Sequence, residues 1–211
     1  VRLPRFSEFM STLVWFQQDL RLDDNPALAA AIERGKPVVA VFLWAPGEEG
    51  DWGQGAAARW WLHHALEDLD QQLQKHGVKL IIKDTKNSLK ALHEVIDESG
   101  ATSVCWSRCY EPAMVERDKR VKQSLQNSDI EALSFNGSLL LDPLKVANKS
   151  GKPYQVFTPF WKQCREIEVA PPETETPKSA KAKKLSSTTF TSLNLLPDIP
   201  WDEGMEEFWN P

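Results

Sequence analysis

The stretch Val38-Val-Ala-Val-Phe-Leu-Trp44 places seven apolar residues in a row, with Gly35-Lys-Pro37 before it and Pro46-Gly47 after it. A half-exposed strand would alternate apolar and polar residues, so a short, uniformly apolar run reads as a strand covered on both faces. Upstream, Thr12-Leu-Val-Trp-Phe16 has the same character. Between the two, Asn25-Pro26 opens a helix reaching about Arg34, with proline at its first position and Gly35 as its stop. Downstream, a glycine-rich loop over 47–55 leads into a long helix ending near His76-Gly77. Leu62, Leu66, Leu69 and Leu73 form one apolar stripe along it. The rhythm then repeats: a strand over 78–83, a helix over 88–99 stopped by Gly100, a strand over 103–107, a helix over 112–126 and a strand over 130–135. Apolar strands that alternate with helices predict a doubly wound, Rossmann-like α/β fold. Its core is a five-stranded parallel sheet with helices on both faces.

Past Asn136-Gly137 the alternation stops. Thr158-Pro159 reads as the cap of one more helix, reaching about Glu168. A proline-rich and charged stretch follows, Ala170-Pro-Pro-Glu-Thr-Glu-Thr-Pro177 and then Lys178-Ser-Ala-Lys-Ala-Lys-Lys184, which reads as a solvated linker rather than a DNA-binding arm. The tail carries Leu195, Leu196, Ile199, Trp201, Phe208 and Trp209, apolar surface that calls for a partner. The expected organisation is an extension over 1–11, the α/β domain over 12–136, a loop and helix packing on it over 137–169, and an interdomain linker over 170–211. Residues 1–9 show no pattern, and Met10 reads as the natural start.

The chain has 211 residues, with 25 Lys+Arg against 30 Asp+Glu, a net charge of −5. That balance excludes a general electrostatic sink for nucleic-acid phosphates. No apolar run approaches the roughly 18–20 residues of a membrane span, and the first dozen residues lack the apolar core of a signal peptide. The reading is a cytoplasmic, monomeric chain with no membrane partner. Cys105, Cys109 and Cys164 are an odd set and read as free thiols. There are nine tryptophans, which suits a protein that stacks flat heterocycles or presents a large internal interface.

In such a sheet, ligands bind outside the carboxyl ends of the strands. The loops there are 17–24, 45–55 and 108–112, and none carries a phosphate-binding glycine motif. The second holds Glu48, Glu49 and Asp51, which would repel a phosphate. Carboxylates beside Trp44, Trp52, Trp60 and Trp61 suit a flat ring with paired N–H donors, such as a pterin. The same loop reads equally well as an acidic solvent-facing turn. No metal-ligand or nucleophile motif appears, so no catalytic or metal-binding residue is assigned.

The segment Leu13-Val-Trp-Phe-Gln-Gln-Asp-Leu-Arg-Leu-Asp-Asp-Asn-Pro-Ala-Leu28 resembles the opening of the DNA photolyase/cryptochrome family. Arg59-Trp-Trp-Leu62, Trp106-Ser-Arg-Cys-Tyr-Glu-Pro112 with Arg117-Asp118, Phe135-Asn-Gly-Ser-Leu-Leu140 and Tyr154-Gln-Val-Phe-Thr-Pro-Phe-Trp161 follow in the family's order. The Arg-Trp-Trp-Leu segment and the loop at 46–50 are closer to plant cryptochromes and their bacterial photolyase relatives than to the folate-type bacterial enzymes.

The resemblance implies the light-harvesting half of a two-domain flavoprotein. An amino-terminal α/β domain holds an antenna chromophore; a helical domain, expected to begin about where this chain ends, holds FAD and meets damaged DNA. The full-length protein is then a DNA photolyase, a carbon–carbon lyase that repairs pyrimidine dimers, and this chain alone is expected to be inactive. A cryptochrome-type photoreceptor is the alternative, and a stand-alone nucleotide-binding α/β module the second. Two departures from the family stand out: Gln17 where many members have Arg, and Ala113-Met114 where folate-type enzymes carry an Asn-Glu pair. The antenna residues are accordingly expected to be Glu48, Glu49, Trp52, Trp60 and Trp61. Methenyltetrahydrofolate is the first choice of chromophore, and a deazaflavin or flavin the alternative.

Overall fold

The computed structural model describes residues 10–51, 53–143, 145–148, 150–169, 171–172 and 185–208. Residues 1–9 of the expected extension, Trp52, most of the charged linker, and Trp209 therefore lie outside the described residues. Five strands form one parallel sheet: β1 (Ser11–Phe16), β2 (Val38–Trp44), β3 (Leu80–Asp84), β4 (Ala101–Ser107) and β5 (Glu131–Phe135), in the order β3-β2-β1-β4-β5. Between them run α1 (Pro26–Glu33), α2 (Ala56–Lys75), α3 (Ser88–Ser99) and α4 (Pro112–Asn127).

The pleat sorts the core into two layers. Val14 and Phe16 of β1 join Phe42, Leu28 of α1 and the α2 stripe Leu62, Leu66, Leu69 and Leu73 on one face. Leu13 and Trp15 join Val41, Leu92 and Val95 of α3, and Val121 and Leu125 of α4 on the other. Period-two alternation on a strand buried on both sides makes this division unavoidable. The doubly wound expectation holds.

The element ends are set by hydrogen bonds that apolarity alone does not reveal. Val78 is not in β3, because its N–H bonds the Leu73 carbonyl while Gly77, at φ 71°, bonds Gln74, so the two close the end of α2. Asn25 caps α1 as expected, accepting from the Leu28 N–H at 3.0 Å. Ser11 belongs to β1 rather than to the extension: it is buried and donates to the Ser99 carbonyl.

Beyond β5, two expectations need correction. The first turn of α5 (Phe157–Glu166) contains Thr158 rather than following it, with Val156 at the cap and no side-chain cap bond. Pro159 is tolerated there because first-turn N–H groups have no intrahelical partner. Nor does the helix pack on the domain as expected, for none of its residues is buried. The loop before it does pack: Arg21 Nη2 donates to the Gly137 carbonyl at 2.6 Å and Arg108 Nη2 to Asp142 at 2.7 Å. Part of the presumed linker is also a strap on the domain. The Thr188 N–H donates to the Ile82 carbonyl, Ser187 Oγ accepts from the Ile82 N–H, and Leu193 and Leu195 are buried in the α1/α2 core. This strap covers the outer edge of β3, which would otherwise offer unpaired backbone to another chain.

Gly137 is the tightest point of this packing. A Cβ there would lie 2.8 Å from Ser107 Cβ and closer still to its hydroxyl. Gly137→Ala should therefore destabilise the fold by about 1–3 kcal/mol, with part of the loss recovered in the double variant with Ser107→Gly. Chemical denaturation of the three proteins checks this; a Gly137→Ala midpoint equal to the parent's would contradict it.

Candidate functional site

The strand order reverses beside β1: the chain passes from β1 to β2 and β3 on one side, then returns to β4 and β5 on the other. Loops leaving the carboxyl ends of β1 and β4 diverge there, and a crevice opens. The cavity found there has a volume of about 370 Å³, within the range of small-molecule sites. Its floor is Trp15, Phe16, Phe42 and Trp44 at the strand ends, its walls Trp61, Leu62 and Ala65 of α2 with Met114 and Arg117 of α4, and its rim Gln17, Gln18, Arg21, Glu49 and Gln54.

The β1–α1 loop is tied down from within. Asp19 accepts from the Gln17 N–H at 3.1 Å and from Asn25 Nδ2 at 3.1 Å. Arg21 donates Nε to the Asp23 carbonyl and Nη2 to the carbonyls of Asp24 and Gly137. These bonds make Arg21 a clasp between loops.

Arg117 is held just as firmly. The buried run Met114, Arg117, Val121, Leu125 puts it on the inner stripe of α4. Its Nε and Nη2 donate to Asp118 at 3.0 and 2.7 Å, Nη2 also donates to Gln17 Oε1, and the guanidinium lies 4.6 Å from the Trp15 ring centre. Trp106 Nε1 donates to the other Asp118 oxygen, and the Cys109 thiol to Gln17 Oε1. Burial raises the Asp118 pKa against the opposing pull of Arg117, and pushes the Cys109 thiol up to about 12. Cys109 is therefore a protonated donor rather than a nucleophile. Cys105 and Cys109 are buried, and all three cysteines are free.

The five expected antenna residues separate. Glu49 and Trp61 line the cavity. Glu49 accepts from the Gln54 N–H at 3.1 Å and from Gln54 Nε2 at 3.0 Å, one bond to each oxygen, which leaves lone pairs on both. Glu48 turns to α3 instead, accepting from the Ser88 N–H at 3.1 Å, where a carboxylate suits the helix N-terminus. Trp60 is 1% exposed and does not line the cavity; its ring lies 4.5 Å from that of His64. Trp52 is outside the described residues. The expectation omitted Trp15, Gln54 and Arg117. Trp15 and Arg117 had legible signals, one as the last residue of its face at a strand's carboxyl end, the other from its place in the α4 stripe. No group of side chains with metal-ligand geometry occurs among the described residues, and no described helix is long and apolar enough to cross a membrane.

The Arg117–Asp118 pair gives a stability test. Arg117→Met strands a buried carboxylate, so it should destabilise the fold by about 3–5 kcal/mol at neutral pH. Asp118's folded pKa lies above its unfolded value and rises further without Arg117. Its destabilising contribution is therefore full above the folded pKa and fades as pH falls through it, because the folded state then takes up the proton first. Thermal melts from neutral to acid pH should show the variant's deficit shrinking, and a constant deficit would contradict the assignment.

The DNA photolyase family model matches residues 12–179. A deoxyribodipyrimidine photo-lyase of Agrobacterium fabrum is 38% identical over 202 residues, 94% of this chain and 41% of that protein. Cryptochrome-1 of Arabidopsis thaliana is 41% identical over 160 residues, 76% of this chain and 23% of that protein. The crystal structure of a bacterial class III photolyase from Agrobacterium tumefaciens superposes with a TM-score of 0.84 at 37% identity, covering 97% of this chain and 42% of that one. This chain spans about two-fifths of the length of these photolyases. The family model covers well over half of the residues: the chain belongs to the DNA photolyase family.

Proposed function

We propose that this chain is the antenna domain of a flavin-dependent DNA photolyase, and that the crevice between β1, β2, α2 and α4 takes a pterin such as methenyltetrahydrofolate. The observation that carries the reading is Glu49, a carboxylate with unused lone pairs in an indole-walled slot whose cations are engaged elsewhere. A pterin's pyrimidine edge presents an amide N–H beside an exocyclic amine, two donors that one carboxylate accepts together. A flavin or deazaflavin presents a single N–H between two carbonyls, which a carboxylate meets poorly. Met114, where folate-type enzymes carry a carboxylate, adds an apolar wall, so the acceptor comes from the β2–α2 loop instead.

The chromophore supplies absorption in the near-UV and blue. Glu49 orients its polar edge, Trp61 covers a face, and Gln54 holds the carboxylate in place. FAD and damaged DNA belong to the remainder of a longer, cytoplasmic protein, and α5 is the surface that meets it. Phe157 and Trp161 there stack at 6.3 Å while 70% and 50% exposed. A signalling photoreceptor is the second reading, favoured by the 41% identity to a plant cryptochrome. Blue-light repair of pyrimidine dimers by the full-length protein separates the two.

Titration with methenyltetrahydrofolate tests the site. A charge-assisted pair shielded from water contributes about 1.5–3 kcal/mol, so Glu49→Ala should weaken binding by about 10- to 100-fold. Glu48→Ala should leave the affinity unchanged and lower the melting temperature instead. Equal affinities for Glu49→Ala and the parent would contradict the assignment.

A further inference from the structure

Around the crevice the indoles are concentrated. Trp15, Trp44 and Trp61 line it. Trp106 lies 6.0 Å from Trp15, and Trp60 lies 6.4 Å from Trp61, centre to centre. Five of the chain's nine tryptophans are thus in the cavity wall or one ring behind it. Both contacting pairs are tilted, at 48° and 50°.

Bulk alone explains an aromatic in a core; it does not explain this clustering. Trp61 is 46% exposed, so it fills no core, and Trp60 has an indole N–H with no partner among the described residues, so nothing polar there requires an indole over a phenyl ring. Trp15 and Trp106, by contrast, are fixed electrostatically, one under the Arg117 cation and the other bonded to Asp118.

We propose that these indoles form a second light collector, passing ultraviolet excitation to the chromophore in the crevice. The proposal rests on the antenna reading above. Indoles emit in the near-UV, where pterins and flavins absorb, and resonance transfer falls with the inverse sixth power of separation. Rings at contact distance therefore transfer before they emit. No electron or proton moves in this step. The consequence is an action spectrum that reaches into the ultraviolet band that damages DNA.

The test uses the chain incubated with methenyltetrahydrofolate and freed of excess by gel filtration. Absorbance of the retained folate reports binding separately from transfer. On loading, more than half of the indole emission should be lost, because three of the nine indoles line the cavity and two more lie one ring behind them. The excitation spectrum of the bound folate should gain an indole component absent from free folate. Trp60→Phe and Trp106→Phe, neither in the cavity wall, should retain folate and reduce that component; Trp60→Phe, losing no hydrogen bond, covers the case in which Trp106→Phe fails to fold. Retained folate with undiminished indole emission would overturn the proposal and leave the binding reading intact. If folate is not retained, the pterin reading fails and the same spectra with FMN carry the test. A cavity that retains neither overturns both.

Discussion

Strand β1 is hydrogen-bonded on both sides and buried at every residue, so everything polar at its end has to be satisfied where the chain leaves the sheet. Its neighbours are β2 and β4, and the helices after those strands lie on opposite faces. The backbone cannot close the space between the diverging loops, so side chains do. Gln17, Asp19 and Asn25 fasten the β1–α1 loop, Arg21 clasps it to Gly137, and the Arg117–Asp118 pair closes the α4 side. The crevice is what remains.

This arrangement also decides the sign of the site. Two arginines line the crevice, which on a simple count would favour an anion. Their bonds go to backbone carbonyls, Gln17 and Asp118, in geometry that a guanidinium fork holds well. Among the described residues Glu49 is bound only through Gln54, and it keeps acceptor capacity on both oxygens. On the reading proposed above, a slot with indole and thioether walls and an acceptor carboxylate takes a flat, N–H-bearing ring rather than a phosphate. That distinguishes it from nucleotide sites built on the same sheet topology, which rely on glycine loops at helix N-termini.

Much of the fold was legible because parallel strands covered on both faces need long apolar runs, and Val38–Trp44 and Ser88–Ser99 have the predicted ends. The misses are places where a hydrogen bond overrides the pattern. Val78 is apolar enough for a strand but is used to end α2. The strap over 185–195 read as tether because its composition is polar, yet its serine and threonine bonds to β3 are what dock it. At the site, Glu48 and Glu49 are adjacent and indistinguishable in sequence. Only the turn at 46–48 sends one to α3 and the other to the crevice. Trp60 and Trp61 divide for the same reason, since neighbouring helical residues point about 100° apart.

The most direct measurement is a crystal structure of this chain grown with methenyltetrahydrofolate. The pterin ring should lie in the crevice, against Trp61, with its paired N–H edge within hydrogen-bond distance of Glu49. A ring seated instead in the hollow between residues 137–142 and 167–169, or beside Arg59 and Trp201 at the start of α2, would contradict it.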